Sequence, residues 1–173
     1  MSEPSTAGKP SRVFVSVGSN VLPEVHVPRA VARLADLATL VGVSPFYLTA
    51  AIGPDGAASG EADFWNGVVA LHTSEDPVAL HTQTLRELEE AAGRTRPAPP
   101  YDPRTLDLDV IWADHAVSHD PRLELPDPHI LTRPFLARGL LDLDPSLCWP
   151  ATGARLADLV PQAAHVGRVV WQP

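Results

Sequence analysis

Asp107 and Asp109 stand two apart in the stretch Pro103 to Trp112, PRTLDLDVIW, which otherwise reads as a β-strand. Alternation along a strand puts both carboxylates on one face, about 6.5–7 Å apart, with Leu106, Leu108 and Val110 on the other. Aspartate is depleted in strands. Two ionised carboxylates at that spacing repel by about 2.5 kcal/mol at an effective dielectric near 20. A hard divalent cation relieves the repulsion, and a donor set of oxygens alone favours magnesium or manganese over zinc. Three arginines, Arg94, Arg96 and Arg104, lie in the loop that leads into the strand. Guanidinium forks match phosphate oxygens, so carboxylates beside arginines lay out a phosphoryl-transfer site. An arginine loop can also close over a nucleotide and exclude water. The Asp-x-Asp pattern alone better fits a half-exposed strand whose solvated face pairs each aspartate with an arginine; the arginine loop ahead of it shifts the reading to phosphate chemistry.

The elements that must position these groups follow from periodicity. RVFVSVG, Arg12 to Gly18, reads as a strand buried largely on both faces and ends in the turn signal Gly18-Ser19-Asn20. Pro28 to Leu40 carries Val31, Leu34, Ala35 and Ala38 at helical spacing, with Pro28 suited to a first turn. Val43 to Thr49 reads as a second strand, placed at an edge by Pro45. A Gly/Ala-rich loop, Ala50 to Asp63, precedes a third strand, Phe64 to Thr73. Asp76 to Ala92 is helical and stops at Gly93. The arginine loop, Arg94 to Arg104, then enters the aspartate strand. The order β-α-β-β-α-β predicts an α+β fold with a ferredoxin-like core, an antiparallel sheet packed by two helices. A C-terminal extension adds a short strand at RLELP, a helix near Arg133 to Leu141 and another near Ala154 to Val160, which cover an edge or the second face of the sheet.

Length and composition bound the rest. At 173 residues the chain suits a single domain, 11–173, behind a flexible tail, 1–10, that lacks the apolar centre of a signal peptide. No apolar run reaches the ~20 residues of a membrane helix. The one cysteine, Cys148, excludes an internal disulfide and a cysteine zinc site and fits a reducing cytoplasm. A formal net charge of −8 argues against general nucleic-acid binding. His115 and His119 are spaced four apart, but in a loop-like segment, which is poor support for zinc. Trp65, Trp112, Trp149 and Trp171 read as packing residues. Neither a Walker loop nor a dinucleotide-binding glycine motif occurs.

PRTLDLDVIW, with GRTR ahead of it, resembles the signature of the 6-hydroxymethyl-7,8-dihydropterin pyrophosphokinase family of folate biosynthesis. VSVGSN, FYLT, FWNGVVAL and RPFL match that family in order and approximate spacing, so the resemblance runs from about Val13 to Ala157. It implies a ferredoxin-like core that binds ATP with two Mg²⁺ ions and transfers pyrophosphate to the hydroxymethyl group of the pterin, attacking the β-phosphorus and releasing AMP. By position, Asp107 and Asp109 correspond to the metal carboxylates. Arg94, Arg96 and Arg104 correspond to phosphate and loop-closure arginines, Arg133 to a further ATP-side arginine, and Glu89 to a helix carboxylate near the substrates. On the pterin side the resemblance implies Asn66 as the ring-binding amide, Thr49 and Ile52 in the pocket-lining loop, and Phe135 and Tyr101 as stacking rings. Taken alone, Asn66 also fits a turn or bulge residue, Phe135 a core ring and Glu89 a solvated helix position.

The chain departs from the family pattern in the loop and beyond it. Asp102 replaces a glycine, Pro100 a basic residue and Ala50-Ala51 a proline pair, and the loop RPAPPYDPR is rich in proline. Asp127 takes the place of a nucleotide-contacting histidine, with His129 two residues on as a substitute. These departures keep open a paralogue that binds nucleotide or pterin with weak or lost transfer. A ferredoxin-like RNA-binding module is the other alternative, disfavoured by net charge and by the lack of an aromatic-basic ribonucleoprotein motif. The expected partners are ATP and the hydroxymethyl dihydropterin, in a cytoplasmic monomer or weak homodimer.

Overall fold

The computed structural model describes residues 10–97, 99, 101–114 and 116–173. The expected tail up to Lys9, the substituted Pro100 and the zinc candidate His115 lie outside the described residues. β1 (Ser11–Ser19) is the inner strand that carries the site. It pairs antiparallel with β4 (Phe64–Thr73) on one side and β5 (Asp107–Ala113) on the other. β4 also pairs with β2 (Thr39–Val43) and β3 (Phe46–Thr49), and β3 with β8 (Val169–Trp171). The sheet order is therefore β5-β1-β4-β3-β8, with β2 beside β4.

Each face of this sheet has its own core. Val13, Val15 and Val17 of β1, with Val69, Leu71, Leu108 and Val110, pack against α1 (Pro23–Leu37) and against Leu80 and Leu85 of the next helical segment. Phe14, Val68, Ala70 and Trp112 point the other way, onto Leu136, Ala137 and Leu140 of α4 (Pro134–Leu143) and Leu156 of α5 (Leu156–Leu159). Burying a large apolar side chain stabilises by about 1.5–3 kcal/mol, so β1, apolar on both faces, is fixed inside the sheet between β5 and β4. Beyond β5, a hairpin of β6 (Ser118–Asp120) and β7 (Leu123–Leu125) leads to a 3₁₀ turn, Pro128–Leu131, ahead of α4.

Several sequence-based boundaries shift. The helix expected from Pro28 begins at Pro23, which takes the first-turn position where a missing N–H is harmless. Pro28 lies inside the helix, and burial of Val27, Ala30, Val31 and Leu34 offsets the lost hydrogen bond. Thr39 and Leu40, read as the helix end, belong to β2. The single strand expected over Val43 to Thr49 is split at Ser44-Pro45. There Ser44 replaces the ladder: its N–H donates to Val68 O at 2.9 Å and its Oγ accepts from Val68 N at 2.9 Å. Nor is β3 an edge, because β8, absent from the sequence reading, covers it. The helix expected over Asp76 to Ala92 is interrupted. α2 (Pro77–Ala79), capped by Asp76 Oδ1, passes through a π-helical turn, Leu80–Thr84, into α3 (Leu85–Ala91). The aspartate strand starts at Asp107 rather than Pro103, which leaves Arg104 in the loop.

Candidate active site

Strand pairing builds the floor of the site. Gly18 of β1 lies opposite Asn66 of β4 and Asp107 of β5, and Ser16 lies opposite Asp109. An amide and a carboxylate thus flank one glycine across three strands. A methyl group at Gly18 would meet Asn66 Oδ1 at 2.6 Å and Asp107 Cβ at 3.8 Å, so glycine keeps this floor open. Asn66 is held from the next strand, donating Nδ2–H to Thr49 Oγ1 at 2.6 Å. Above the floor opens a cleft of about 590 Å³. Its walls are the loop following β3 with Ile52, the arginine loop with Tyr101, Asp102 and Arg104, and the segment bearing Asp127, His129, Arg133 and Phe135.

The two strand aspartates are held very differently. Asp107 Oδ1 accepts from Arg94 Nη1 at 2.5 Å, and its Oδ2 pairs with Arg104 Nη1. Burial alone would raise its pKa, but Arg104 and Arg94 hold the carboxyl below the usual carboxylate range. Asp109 accepts no hydrogen bond on its carboxylate among the described residues. Burial, reinforced by the charges of Asp107, Glu89 and Asp127, pushes it up to about 7. Its side chain keeps 48% of its surface open, toward the cleft it lines. Asp107 is neutralised by two guanidiniums, whereas among the described residues Asp109 has only the imidazole of His81 nearby, at 3.8 Å.

The arginines are anchored from below. Glu89 of α3 is buried, and its Oε1 accepts from Arg94 Nη1 at 2.5 Å and from Leu108 N at 2.8 Å. Oε2 accepts from Arg96 Nη2 at 2.5 Å, and Arg94 also reaches Leu106 O at 3.2 Å. Among the described residues β5 has no strand partner on that side, so Glu89 and Arg94 satisfy backbone groups an edge strand would leave bare. On the opposite flank Asn20, also buried, fixes the backbone of Arg104: its N–H donates to Arg104 O at 3.1 Å and its Oδ1 accepts from Arg104 N at 2.7 Å.

Of the residues singled out from sequence, Asp107, Asp109, Arg104, Arg133, Thr49, Ile52, Asn66, Tyr101 and Phe135 all line the one cleft. Arg94 and Arg96 line a second hollow of about 320 Å³, which shares Asp102 and Arg104 with the first. Glu89 opens onto neither and is not solvated. Asp127 caps the 3₁₀ turn through His129 N at 2.8 Å and pairs with His129 Nδ1 at 2.9 Å, which brings His129 into the cleft wall. Sequence reasoning missed Gly18 and Asn20, whose roles arise from pairing across the sheet, and His81, which the π turn brings within 3.8 Å of Asp109. Burial, then the charge of Arg86, lowers the pKa of His81.

The oxygen donors of Asp107 and Asp109 suit a hard divalent cation. No group of three or more His, Cys, Asp or Glu side chains is arranged to hold a metal among the described residues. A cation here would therefore draw its remaining ligands from water or substrate oxygens, as magnesium commonly does. No helix among the described residues is long and apolar enough to cross a membrane.

Residues 14–145 match the family described as 7,8-dihydro-6-hydroxymethylpterin-pyrophosphokinase. The chain is 36% identical over 152 residues to the 2-amino-4-hydroxy-6-hydroxymethyldihydropteridine pyrophosphokinase of Pseudomonas aeruginosa, an alignment covering 86% of this chain and 90% of that protein. A Synechocystis protein of the same name is 32% identical over 153 residues, covering 86% of this chain and 74% of the relative. Among solved structures, a Plasmodium falciparum HPPK-DHPS triple mutant with pteroate superposes with a TM-score of 0.68 at 12% identity. That match covers 91% of this chain and 44% of the longer one, and carries the fold alone.

Proposed function

The chain belongs to the 7,8-dihydro-6-hydroxymethylpterin-pyrophosphokinase family, and on that premise we propose how its cleft divides the tasks of pyrophosphate transfer. ATP is the donor and 6-hydroxymethyl-7,8-dihydropterin the acceptor; the products are AMP and the pterin diphosphate, in folate biosynthesis. The pterin hydroxyl oxygen bonds the β-phosphorus as the bond from that phosphorus to the oxygen shared with the α-phosphate breaks.

Asp107 and Asp109 would hold magnesium, two ions in all, together with the triphosphate. When bound, magnesium neutralises phosphate charge and favours in-line displacement. Asp109, whose carboxylate accepts no hydrogen bond among the described residues, is ready for a cation, while Asp107 is released as incoming phosphate oxygens compete for Arg94 and Arg104. Arg96 and Arg133 add positive charge on the nucleotide side. Glu89 acts beneath them as the anchor of Arg94 and Arg96 rather than as an ATP contact. Asn66, oriented by Thr49, offers amide groups to the alternating donors and acceptors of the pterin. Phe135 and Tyr101 supply ring faces, and Ile52 adds an apolar side chain to the wall. The sheet order β5-β1-β4, with β2 and β3 beyond, supports a ferredoxin-like core within one catalytic domain, 11–173.

The observation that carries this reading is the row Asn66, Gly18, Asp107, which sets the pterin amide and the metal carboxylate on one floor without an intervening side chain. The test is product analysis after incubation with ATP, magnesium and the dihydropterin. AMP with the pterin diphosphate is expected, and Asp107→Ala and Asp109→Ala each abolish it. Formation of ADP, or full activity in either variant, contradicts the assignment.

A further inference from the structure

His81 sits on the π-helical turn Leu80–Thr84, the one interruption in an otherwise α-helical run from Pro77 to Ala91. Such turns insert a residue into the helical repeat and re-aim a side chain, often at functional sites. This turn packs against β5. The imidazole is largely buried, and its Nδ1 is wholly buried with no hydrogen-bond partner. Buried polar atoms are nearly always paired, and Leu80 and Leu85 on the same segment show that the position could carry an apolar side chain. Asp109 Oδ1 lies 3.8 Å from Nδ1, less than 1 Å beyond a normal hydrogen bond.

We propose that His81 is a positioning residue for Asp109, donating Nδ1–H to Oδ1 and holding the carboxylate in the rotamer that grips the metal–nucleotide. This deepens the assignment of Asp109 as a metal ligand and rests on it. The neighbouring aspartate shows why such a residue is needed. Asp107 is fixed by two guanidiniums, whereas Asp109 has no other donor among the described residues and would otherwise turn freely in the open cleft. Ligand carboxylates are commonly oriented by a hydrogen bond from an outer group. The short gap closes by a small rotation of either side chain, so the contact forms as Asp109 is drawn onto its cation.

The test measures Mn²⁺ affinity by electron paramagnetic resonance in the presence of α,β-methylene-ATP, beside thermal unfolding of the ligand-free protein. His81→Leu is expected to weaken Mn²⁺ binding about 10–100-fold, with the ligand-free unfolding midpoint unchanged or raised because an unpaired buried nitrogen is gone. His81→Asn, whose amide nitrogen occupies the Nδ1 position, is expected to restore most of the affinity. His81→Gln, with its donor at the far nitrogen instead, is expected to bind as weakly as the leucine variant. A merely structural histidine gives the reverse pattern: a lowered midpoint and unchanged Mn²⁺ affinity, and that result overturns the proposal. Failure of His81→Asn to rescue also overturns it. Asp109→Asn separates the two readings. Loss of Mn²⁺ binding there with parent affinity in His81→Leu defeats this inference alone, whereas retention in both defeats the metal assignment as well.

Discussion

Glu89→Gln keeps the shape of the buried side chain and an acceptor for Leu108 N–H, while removing the charge that anchors Arg94 and Arg96. Glu89 is 1% exposed and holds each arginine at 2.5 Å. Deleting one partner of a buried ion pair costs roughly 3–5 kcal/mol. Two features favour the lower end: Arg94 retains Asp107, and Arg96, 38% exposed, can return to water. About 3 kcal/mol, at roughly 2–4 °C per kcal/mol for a domain of this size, lowers the melting midpoint by about 6–12 °C. Calorimetry and urea unfolding of the ligand-free protein measure this directly. Calorimetric titration supplies the functional half. ATP affinity falls because the arginines are no longer aimed from below, while pterin affinity, set on the far side of the floor, stays put. A midpoint within about 2 °C of the parent, under 1 kcal/mol on the same scale, refutes the anchor. So does an equal loss of pterin and ATP affinity.

Asp109 carries a pH prediction. Its folded pKa, about 7, lies above the ordinary 3.8, so the folded state binds the proton more tightly than the unfolded chain. Stability then falls as pH rises from about 4 to about 7. Asp109→Asn removes that fall, melting above the parent near pH 8 and converging with it below pH 4 in metal-free buffer. Asn66→Ala is expected to weaken pterin binding by about tenfold or more, the equivalent of one lost hydrogen bond of 1.4 kcal/mol, with ATP binding unchanged by calorimetry. Gly67→Ala would set a Cβ about 2.6 Å from the buried Phe46 ring. Overpacking of that kind costs about 1–3 kcal/mol, which urea unfolding resolves without any change in product identity.

The aspartate pair and its arginine loop could be read from residue type and spacing, because charge on a strand is conspicuous and alternation fixes the shared face. The strands β1, β4 and β5 could be read for the same reason. What escaped depends on partners distant in sequence. Gly18 is part of a turn signal until β1 pairs with both β4 and β5, and only that register sets Asn66 and Asp107 on either side of it. Glu89 looks like a solvated helix residue until the bare edge of β5 makes it a cap for Leu108 N. The break at Ser44-Pro45 depends on a side chain that stands in for a ladder hydrogen bond, and β8 depends on a three-residue segment finding the free side of β3. His81 gave no signal by period, since a π turn shifts the face on which a residue emerges.

Transfer of pyrophosphate as a unit is the central claim, and labelled ATP tests it most directly. In a single turnover with [β-³²P]ATP, magnesium and the dihydropterin, the label is expected in the pterin diphosphate, with unlabelled AMP as the nucleotide product. Label retained in ADP, beside a pterin carrying one phosphate, contradicts the account.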